Sequence, residues 1–392
     1  MKILVLSFYY PPDLCAGSFR CVAFVDALKK TLPEDSSIDV ITTFPNRYRS
    51  FEQQAEEHEQ QDGVTIHRIH LPVHKSGMLD QSKAFFTYAA RAFALVKTEQ
   101  YDLVVGTSSR LLTATLASFV SRYHNIPLYL DIRDIFVDTI KDVLPRRIAT
   151  VAKPVFSLVE KWTMRRADKI NLVSEGFKEY FRQRYPDKKL SFYPNGIDSV
   201  FLKAPQSVEG ELKQSELCIR IVYAGNIGEG QGLHSIVPQL AKRIGDTGII
   251  QIIGDGGRKT QLEQEIVKLG VNNVELCSPV NRDELLNVYR NADVLFLHLN
   301  EYDAFKKVLP SKLFEYAALG KPILAGVAGY AAQFVKQEIK NAVVFSPCDV
   351  EAAATVFQQL KIEETPRPDF IQKFSREKIM CQLAADVVRI VS

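Results

Sequence analysis

No stretch of this sequence approaches the roughly 18 consecutive apolar residues that a membrane-crossing helix needs, so no span is expected. The opening Met1-Lys2-Ile3-Leu4-Val5-Leu6 is apolar over too few residues for a signal peptide and reads as a first buried strand. Cys15, Cys21, Cys218, Cys277, Cys348 and Cys381 form no close metal-type pair, and they read as reduced thiols of a cytosolic chain. Net charge is only +3, which gives no argument for nucleic acid. The loop after the first strand holds no G-x-G-x-x-G, which argues against a dinucleotide-dependent dehydrogenase. No Asp-x-Asp pair stands out. His67, His70 and His74 span a strand end and Pro72 rather than one helical face, so no metal is expected.

What the chain does have is strand–helix alternation over 392 residues, with 46% apolar and 24% charged residues. That suits two α/β domains of ordinary size. Residues 310–322 carry the densest signal. Val294–Leu299 upstream reads as a buried strand, and Ser311 is placed to cap a short helix with Leu313, Phe314, Ala317 and Ala318 on its apolar face. Gly320 and Pro322 end it, and Ile323-Leu324-Ala325 starts the next strand. In open α/β sheets ligands sit outside the carboxyl ends of the strands, where such a helix begins. Lys312 and the helix start suit a diphosphate, and Glu315 suits a ribose diol. The same residues also fit a plain amphipathic helix with a solvated charge pair.

The run F-E-Y-A-A-L-G-K-P at 314–322 resembles the E-A-M-A-x-G-x-P segment of glycosyltransferase family 4. The likeness is closer to the bacterial branch that builds O-antigen and capsule, which includes N-acetyl-L-fucosamine transferases. In that family the Glu binds the nucleotide ribose, and Glu315 is the matching position. The resemblance covers nearly the whole chain and is strongest at Gly225–Gly232, Gly254–Gly256 and Pro310–Pro322. It implies the GT-B fold, two doubly wound Rossmann-like domains facing a cleft, with a C-terminal helix crossing back to the first domain. The expected boundaries are 1–195 for the acceptor-side domain, 196–368 for the nucleotide-sugar domain and 369–392 for the returning helix.

In the first half, Lys2–Phe8 is a strand that enters a loop ending in Ala16-Gly17-Ser18. Phe19, Val22, Ala23 and Leu28 are expected on the buried side of the helix that follows. Gly17 matches a family loop that lies beneath donor diphosphate and acceptor, with one Gly fewer; an ordinary turn between strand and helix is the alternative. Phe44–Gln61, with Arg47 and Arg49, reads as an exposed loop. Pro127–Asp134 is a strand ending in Asp131, Arg133 and Asp134, an active-site pattern in such sheets. By resemblance Arg133 and Asp134 stand beside the reacting sugar; an internal salt bridge is the alternative. Thr107-Ser108-Ser109 follows another short buried strand.

Two helical stretches carry unusual surfaces. Lys83–Thr98 holds Phe85, Phe86, Tyr88, Phe93 and Leu95, and residues 146–166 interleave Arg146, Arg147, Lys153, Lys161, Arg165 and Arg166 with apolar residues and Trp162. Residues 141–169 hold eight Lys or Arg against three acids. These read as core and solvated helices, or as membrane-surface elements. The resemblance favours the latter, since family acceptors are often lipid-linked sugars on the cytoplasmic leaflet. It implies an undecaprenyl-type saccharide acceptor and a location on the inner face of the plasma membrane.

In the second half, Glu209–Glu216 reads as a linker. Strand Cys218–Tyr223 runs into a loop with Gly225, Gly228, Gly230 and Gly232, a phosphate cradle in general form. Pro238 predicts a kink or late start in the next helix. Family members often carry an Arg and a Lys-Gly in this loop; here Asn226 and either Glu229-Gly230 or Gln231-Gly232 stand instead. Lys312, Arg258, Arg282, Lys306 or Lys307 are the candidate replacements. Gly254-Asp255-Gly256 resembles a family segment near the nucleotide base. The family's first Glu is replaced by Lys307, which leaves Asp303 or Tyr302 for the sugar. Asn281 and Glu284 form a capping box. The donor-binding candidates are therefore Gly17, Asn226, Gly228, Gly254, Gly256, Arg258, Asp303, Ser311, Lys312, Leu313 and Glu315, and the catalytic ones Asp131, Arg133 and Asp134.

The function implied is retaining transfer of a sugar, such as N-acetyl-fucosamine, from a UDP-linked donor without metal or other cofactor. A nucleotide-sugar epimerase on the same fold, or a non-catalytic partner in polysaccharide assembly, are the alternatives.

Overall fold

The computed structural model describes residues 1–46, 54–72, 78–108, 111–138, 146–202 and 218–391. Arg47, Arg49, His74, Ser109 and the stretch Glu209–Glu216 lie outside them. The chain divides into two compact units, Met1–Asn195 with Arg376–Ser392, and Gly196–Ser375.

Unit 1 contains β1 (Lys2–Leu6), β2 (Ser37–Thr43), β3 (His58–Gln61), β4 (Val64–Ile69), β5 (Leu103–Ser108), β6 (Leu128–Ile132), β7 (Lys169–Leu172) and β8 (Lys189–Ser191). They form one sheet in the order β3-β4-β2-β1-β5-β6-β7-β8. Neighbours run parallel except β3, which pairs antiparallel with β4 at the edge. His58–Gln61 was expected in a loop; its polar residues suit an edge strand, exposed along one side. Ile3, Leu4, Val5 and Leu6 are fully buried, as in a strand covered on both faces. The helices are α1 (Ala16–Thr31), α2 (Met78–Val96), α3 (Leu111–His124), α4 (Arg146–Arg166) and α5 (Lys178–Arg184).

Unit 2 contains β9 (Ile219–Ala224), β10 (Gly248–Ile253), β11 (Val274–Cys277), β12 (Val294–His298), β13 (Ile323–Gly326) and β14 (Ala342–Phe345). All are parallel, in the order β11-β10-β9-β12-β13-β14. Its helices are α6 (Ser199–Leu202), α7 (Leu233–Ile244), α8 (Lys259–Leu269), α9 (Arg282–Arg290), α10 (Lys312–Ala318), α11 (Gly329–Glu338), α12 (Val350–Gln358) and α13 (Pro368–Phe374). α7 starts at Leu233 and runs through the buried Pro238 at its middle, so the late start is not seen. Asn281 and Glu284 form the expected capping box on α9. In both units strand order reverses beside the first strand, β1 or β9, and the crevice at that reversal is where such sheets take ligands.

The tail is two helices. α13 keeps Phe370 and Phe374 against Phe314 of α10 and Phe334 of α11. After Ser375, α14 (Arg376–Val388) belongs to unit 1. There Asp386 accepts from the Tyr129 hydroxyl at 3.1 Å and pairs with Lys169, while Arg376 donates to the Asn195 carbonyl at 2.9 Å.

α1 buries Leu28 as expected but not the rest of the face expected of it. Arg20, Cys21, Phe24 and Val25 point inward, whereas Phe19, Val22 and Ala23 are half-buried. An apolar count cannot foresee this, because a buried ion pair turns the helix. On α2, Phe85 and Tyr88 enter the core, but Phe86 is 69% exposed. α4 turns Glu160, Thr163 and Met164 inward and leaves Ile148, Val155, Leu158 and Trp162 exposed.

Candidate functional site

The reversal point of unit 2 lies between β9 and β12. The chain leaves β9 through Ala224-Gly225-Asn226-Ile227-Gly228-Glu229-Gly230-Gln231-Gly232. Gly225 has a φ of +147°, and a Cβ there would come within 2.4 Å of the Lys312 ammonium. Only glycine gives both that conformation and that space. Lys312 Nζ also lies 5.7 Å from the centre of the Tyr223 ring, and Tyr223 donates its hydroxyl to the Asn226 carbonyl at 2.7 Å.

The rest of the loop is tied down by side chains. Gln231 Oε1 accepts from Asn226 Nδ2 at 2.8 Å and from the Gly228 N–H at 3.3 Å. Asn300, just past β12, donates from Nδ2 to the Glu229 carbonyl and from its backbone N–H to Gly230, both at 2.9 Å. Behind the loop lies the turn after β10. Gly254 has a φ of +150°, and a Cβ there would overlap the Gly225 carbonyl at 1.9 Å. Gly225 donates to Ile253 and Ile227 to Asp255. Gly254 and Gly256 thus let this turn lie flat against the β9 loop.

α10 carries the other half of the site. Ser311 does not cap it: the residue is itself helical, and its side chain makes no cap bond. The first turn closes instead on backbone carbonyls, Leu313 N–H to Pro310 and Phe314 N–H to Ser311. Leu313, Phe314, Tyr316 and Ala317 are buried, so Leu313 serves the core with its side chain. Lys312 and Glu315, three residues apart, share the opposite, half-buried side. Burial first, and then the Glu315 charge, keep the Tyr316 phenol protonated far above its usual range. At the far end, Arg367 is 5% exposed and donates to the carbonyls of Ala317, Lys321 and Lys340. Burial lowers its guanidinium to about 10. These bonds satisfy the last turn of α10 and hold it against the strands.

Several expected cations have other partners. Arg258 donates to Glu229 at 2.5 Å and to Gln261 at 2.8 Å. Glu229 also accepts from the Tyr302 hydroxyl; burial opposes its charge, but these two hydrogen bonds outweigh it and hold its carboxyl below the usual range. Arg282 pairs with Asp198, and Asp303 pairs with Lys306 at 2.9 Å on the surface. Lys312 is set against the glycine loop at Gly225, while Arg258 meets that loop through Glu229.

In unit 1 the crevice beside β1 gathers Gly17, Arg133 and Asp131. Arg20 grips Asp131 with two bonds, Nε at 2.8 Å and Nη2 at 2.9 Å. Its remaining donors reach the carbonyls of Pro194 at 2.6 Å and Tyr193 at 2.9 Å. Asn171 adds a 2.6 Å bond to Asp131 and receives the Tyr193 N–H. Burial opposes the Asp131 charge, but Arg20, aided by Arg133 and Asn171, outweighs it and holds the carboxyl below its usual range. Asp131 is therefore a bracket for Arg20 and the Tyr193–Pro194 segment, while Arg133 and Asp134 lie beyond it. A Cβ on Gly17 would meet Arg133 Nη1 at 2.8 Å, so that glycine makes room for the guanidinium at the start of α1. Asp134 follows Arg133 in the chain and is exposed to solvent.

Arg20, Asn300 and Arg367 were not singled out in the sequence, and Gln231 was noted only as standing where the family often has a Lys. Arg20 gives one signal, an arginine between apolar positions of α1. Asn300 and Arg367 are ordinary polar residues whose role exists only through contacts distant in the chain, whereas Gln231 ties residues within its own loop.

Residues 25–196 match the Glycosyl transferase 4-like domain, and residues 214–377 match Glycosyl transferases group 1. WcaI of Escherichia coli (strain K12), provisionally named a colanic acid biosynthesis glycosyl transferase, is 22% identical over 410 residues, spanning 99% of this chain and 100% of that protein. A sucrose-phosphate synthase from Thermosynechococcus elongatus superposes with a TM-score of 0.74 at 14% identity, covering 100% of this chain and 99% of that one. Anabaena HepE, solved in complex with UDP-glucose, superposes with a TM-score of 0.69 at 16% identity, covering 100% of both chains. The fold is the GT-B class of two Rossmann-like units. The chain carries a Glycosyl transferase 4-like domain followed by a Glycosyl transferases group 1 domain.

Proposed function

We propose that this protein is a retaining glycosyltransferase that moves a sugar from a UDP-linked donor to a lipid-linked saccharide in the assembly of a cell-surface polysaccharide. The observation that carries this is the Lys312 ammonium held against Gly225, with Glu315 one turn further along α10. Glycosyl transfer from a nucleoside diphosphate leaves negative charge on the departing phosphate and cation-like character on the sugar. Fixed donors aimed at the phosphate stabilise that state most when they need not move. Lys312 and the glycine-loop amides are assigned that task, and no metal is required by it. The Glu315 carboxylate is assigned to the ribose diol, which offers two hydroxyl donors. HepE, of the same fold, holds UDP-glucose, and WcaI is named for colanic acid biosynthesis; both support this choice of donor and product class.

On unit 1, Arg133 and Asp134 are assigned to the reacting sugar and acceptor, and Arg20 with Asp131 to positioning them. The acceptor is proposed to be undecaprenyl-type, met at the inner face of the plasma membrane. Exposed Ile148, Val155, Leu158 and Trp162 on α4, beside exposed Lys153, Lys161 and Arg165, and Phe86 on α2 are the proposed contact. N-acetyl-fucosamine is the sugar proposed for the first trial.

The test is transfer of radiolabelled sugar from UDP, GDP and dTDP donors into lipid extract by purified protein, with and without EDTA. The expected result is label in lipid from a UDP-sugar, insensitive to EDTA, with the donor's anomeric configuration kept. Conversion of donor sugar without acceptor would instead mean an epimerase, and no turnover with any donor would contradict the proposal.

A further inference from the structure

β12 ends in a histidine that the glycosyl-transfer reading does not use. His298 is wholly buried, its ring in line with Phe296 and Phe345 at centroid distances of 6.2 Å and 6.0 Å. Gly326 of β13 leaves the space it fills: a Cβ there would come within 2.3 Å of the imidazole Cδ2. Both ring nitrogens meet backbone groups. Nδ1 lies 2.6 Å from the Gln231 carbonyl, and the Cys348 N–H points at Nε2 from 2.9 Å. A carbonyl cannot donate and a backbone N–H cannot accept. Nδ1 must therefore carry the proton and Nε2 must be bare, so the partners themselves fix the tautomer.

The bonds on either side extend the role. Gln231 is the residue whose side chain ties Asn226 to Gly228. Cys348 is a non-glycine residue with a φ of +62°, a conformation that needs outside support, and its thiol donates to Asn300 Oδ1 at 3.4 Å. Asn300 in turn holds the Glu229 and Gly230 carbonyls. His298 and Asn300 thus link the glycine loop to the turn after β14 through one strand end.

We infer that His298 is a positioning residue for the donor: its single-proton ring sets where residues 228–232 stand, and a second proton on Nε2 releases the turn at Cys348 and with it the loop. A protonated Nε2 would face a backbone N–H, donor against donor. The titratable group whose charge reaches the ring, among the described residues, is His234 on α7; the faces from β12, β13 and β14 are aromatic or glycine. The ring's basicity is accordingly low, with burial the largest cause.

This inference rests on reading the loop as the donor-binding side, and the test separates the two. Nitrogen-15 NMR of histidine-labelled wild type at pH 7 reads the tautomer directly. Hydrogen exchange on the protein without nucleotide reads the loop. His298→Phe keeps the stacking and loses both bonds, whereas His298→Gln keeps a group able to donate and accept. The expected result is an Nδ1–H tautomer in wild type, and at least tenfold faster exchange in His298→Phe, confined to residues 228–232 and 346–349 and partly restored in His298→Gln. In turnover, His298→Phe should raise the donor KM at least tenfold and change kcat less. An Nε2–H tautomer, or loop exchange unchanged in His298→Phe, overturns the inference. Wild type that binds no nucleotide but shows the exchange pattern refutes the donor reading and leaves the loop's dependence on His298 standing. If His298→Phe does not fold, wild-type exchange at pH 7 and 4 decides, with loop protection that does not fall on acidification as the contrary outcome.

Discussion

Replacing Arg20 with Met should unfold unit 1 far more easily than an apolar substitution in a buried helix position suggests. The guanidinium is 1% exposed and makes four hydrogen bonds, two to Asp131 and one each to the carbonyls of Tyr193 and Pro194. Met fills similar volume but leaves Asp131, 5% exposed, with Asn171 as its remaining close donor. Breaking one partner of a buried ion pair typically destabilises by about 3–5 kcal/mol, because the other charge is stranded. The single tryptophan, Trp162, lies on α4 in unit 1, so its fluorescence reports that unit's unfolding in guanidinium separately from unit 2. Arg20→Met should lower stability by about 4 kcal/mol on that signal. The double variant Arg20→Met/Asp131→Leu removes the stranded charge and should recover about 2 kcal/mol or more of it. A single variant that loses less than about 1 kcal/mol, or a double variant no better than the single, would refute the reasoning.

Gly225→Ala puts a Cβ within 2.4 Å of the Lys312 ammonium at a φ of +147°; the protein should fold and lose at least about tenfold in nucleotide affinity by calorimetry, about 1.4 kcal/mol. Gly17→Ala meets only the far end of Arg133, in a helix that alanine favours; thermal stability should be nearly unchanged while turnover falls, and unchanged turnover would remove Arg133 from the reaction. Burial holds His298 at about 4 in the folded protein, below the 6.5 of a free imidazole. The unfolded chain therefore binds the extra proton first. Stability from this residue is complete above pH 6.5 and is lost as pH falls toward 4, by about 3 kcal/mol in all. Denaturant titrations of unit 2 at several pH values should show that slope in wild type and not in His298→Gln.

Strand–helix alternation was legible because buried parallel strands are unbroken apolar runs, as at Val294–His298, and β1 and β13 likewise stand where apolar runs mark strands. Helix ends and faces were less legible where a tertiary contact decides. Ser311 looked like a cap, yet α10 closes on the Pro310 and Ser311 carbonyls. α1 looked as though it should bury Phe19 and Val22, but the Arg20–Asp131 pair sets its rotation. β3 escaped notice because an exposed edge strand needs no apolar alternation. Around the glycine loop, Lys312 and Glu315 could be read from local spacing. His298, Asn300 and Arg367 could not, since their partners lie up to 71 residues away in sequence.

The crevice beside β9 is proposed to bind the nucleotide of a UDP-linked donor through Lys312 and Glu315. Thermal unfolding with UDP, GDP, ADP and dTDP, on wild type and on Glu315→Gln, tests it most directly. A ligand present at a hundred times its dissociation constant should add about 2.7 kcal/mol. UDP should stabilise the wild type above the other three nucleotides, and that gain should be lost in Glu315→Gln. Stabilisation that survives in Glu315→Gln, or no response to any nucleotide, would contradict it.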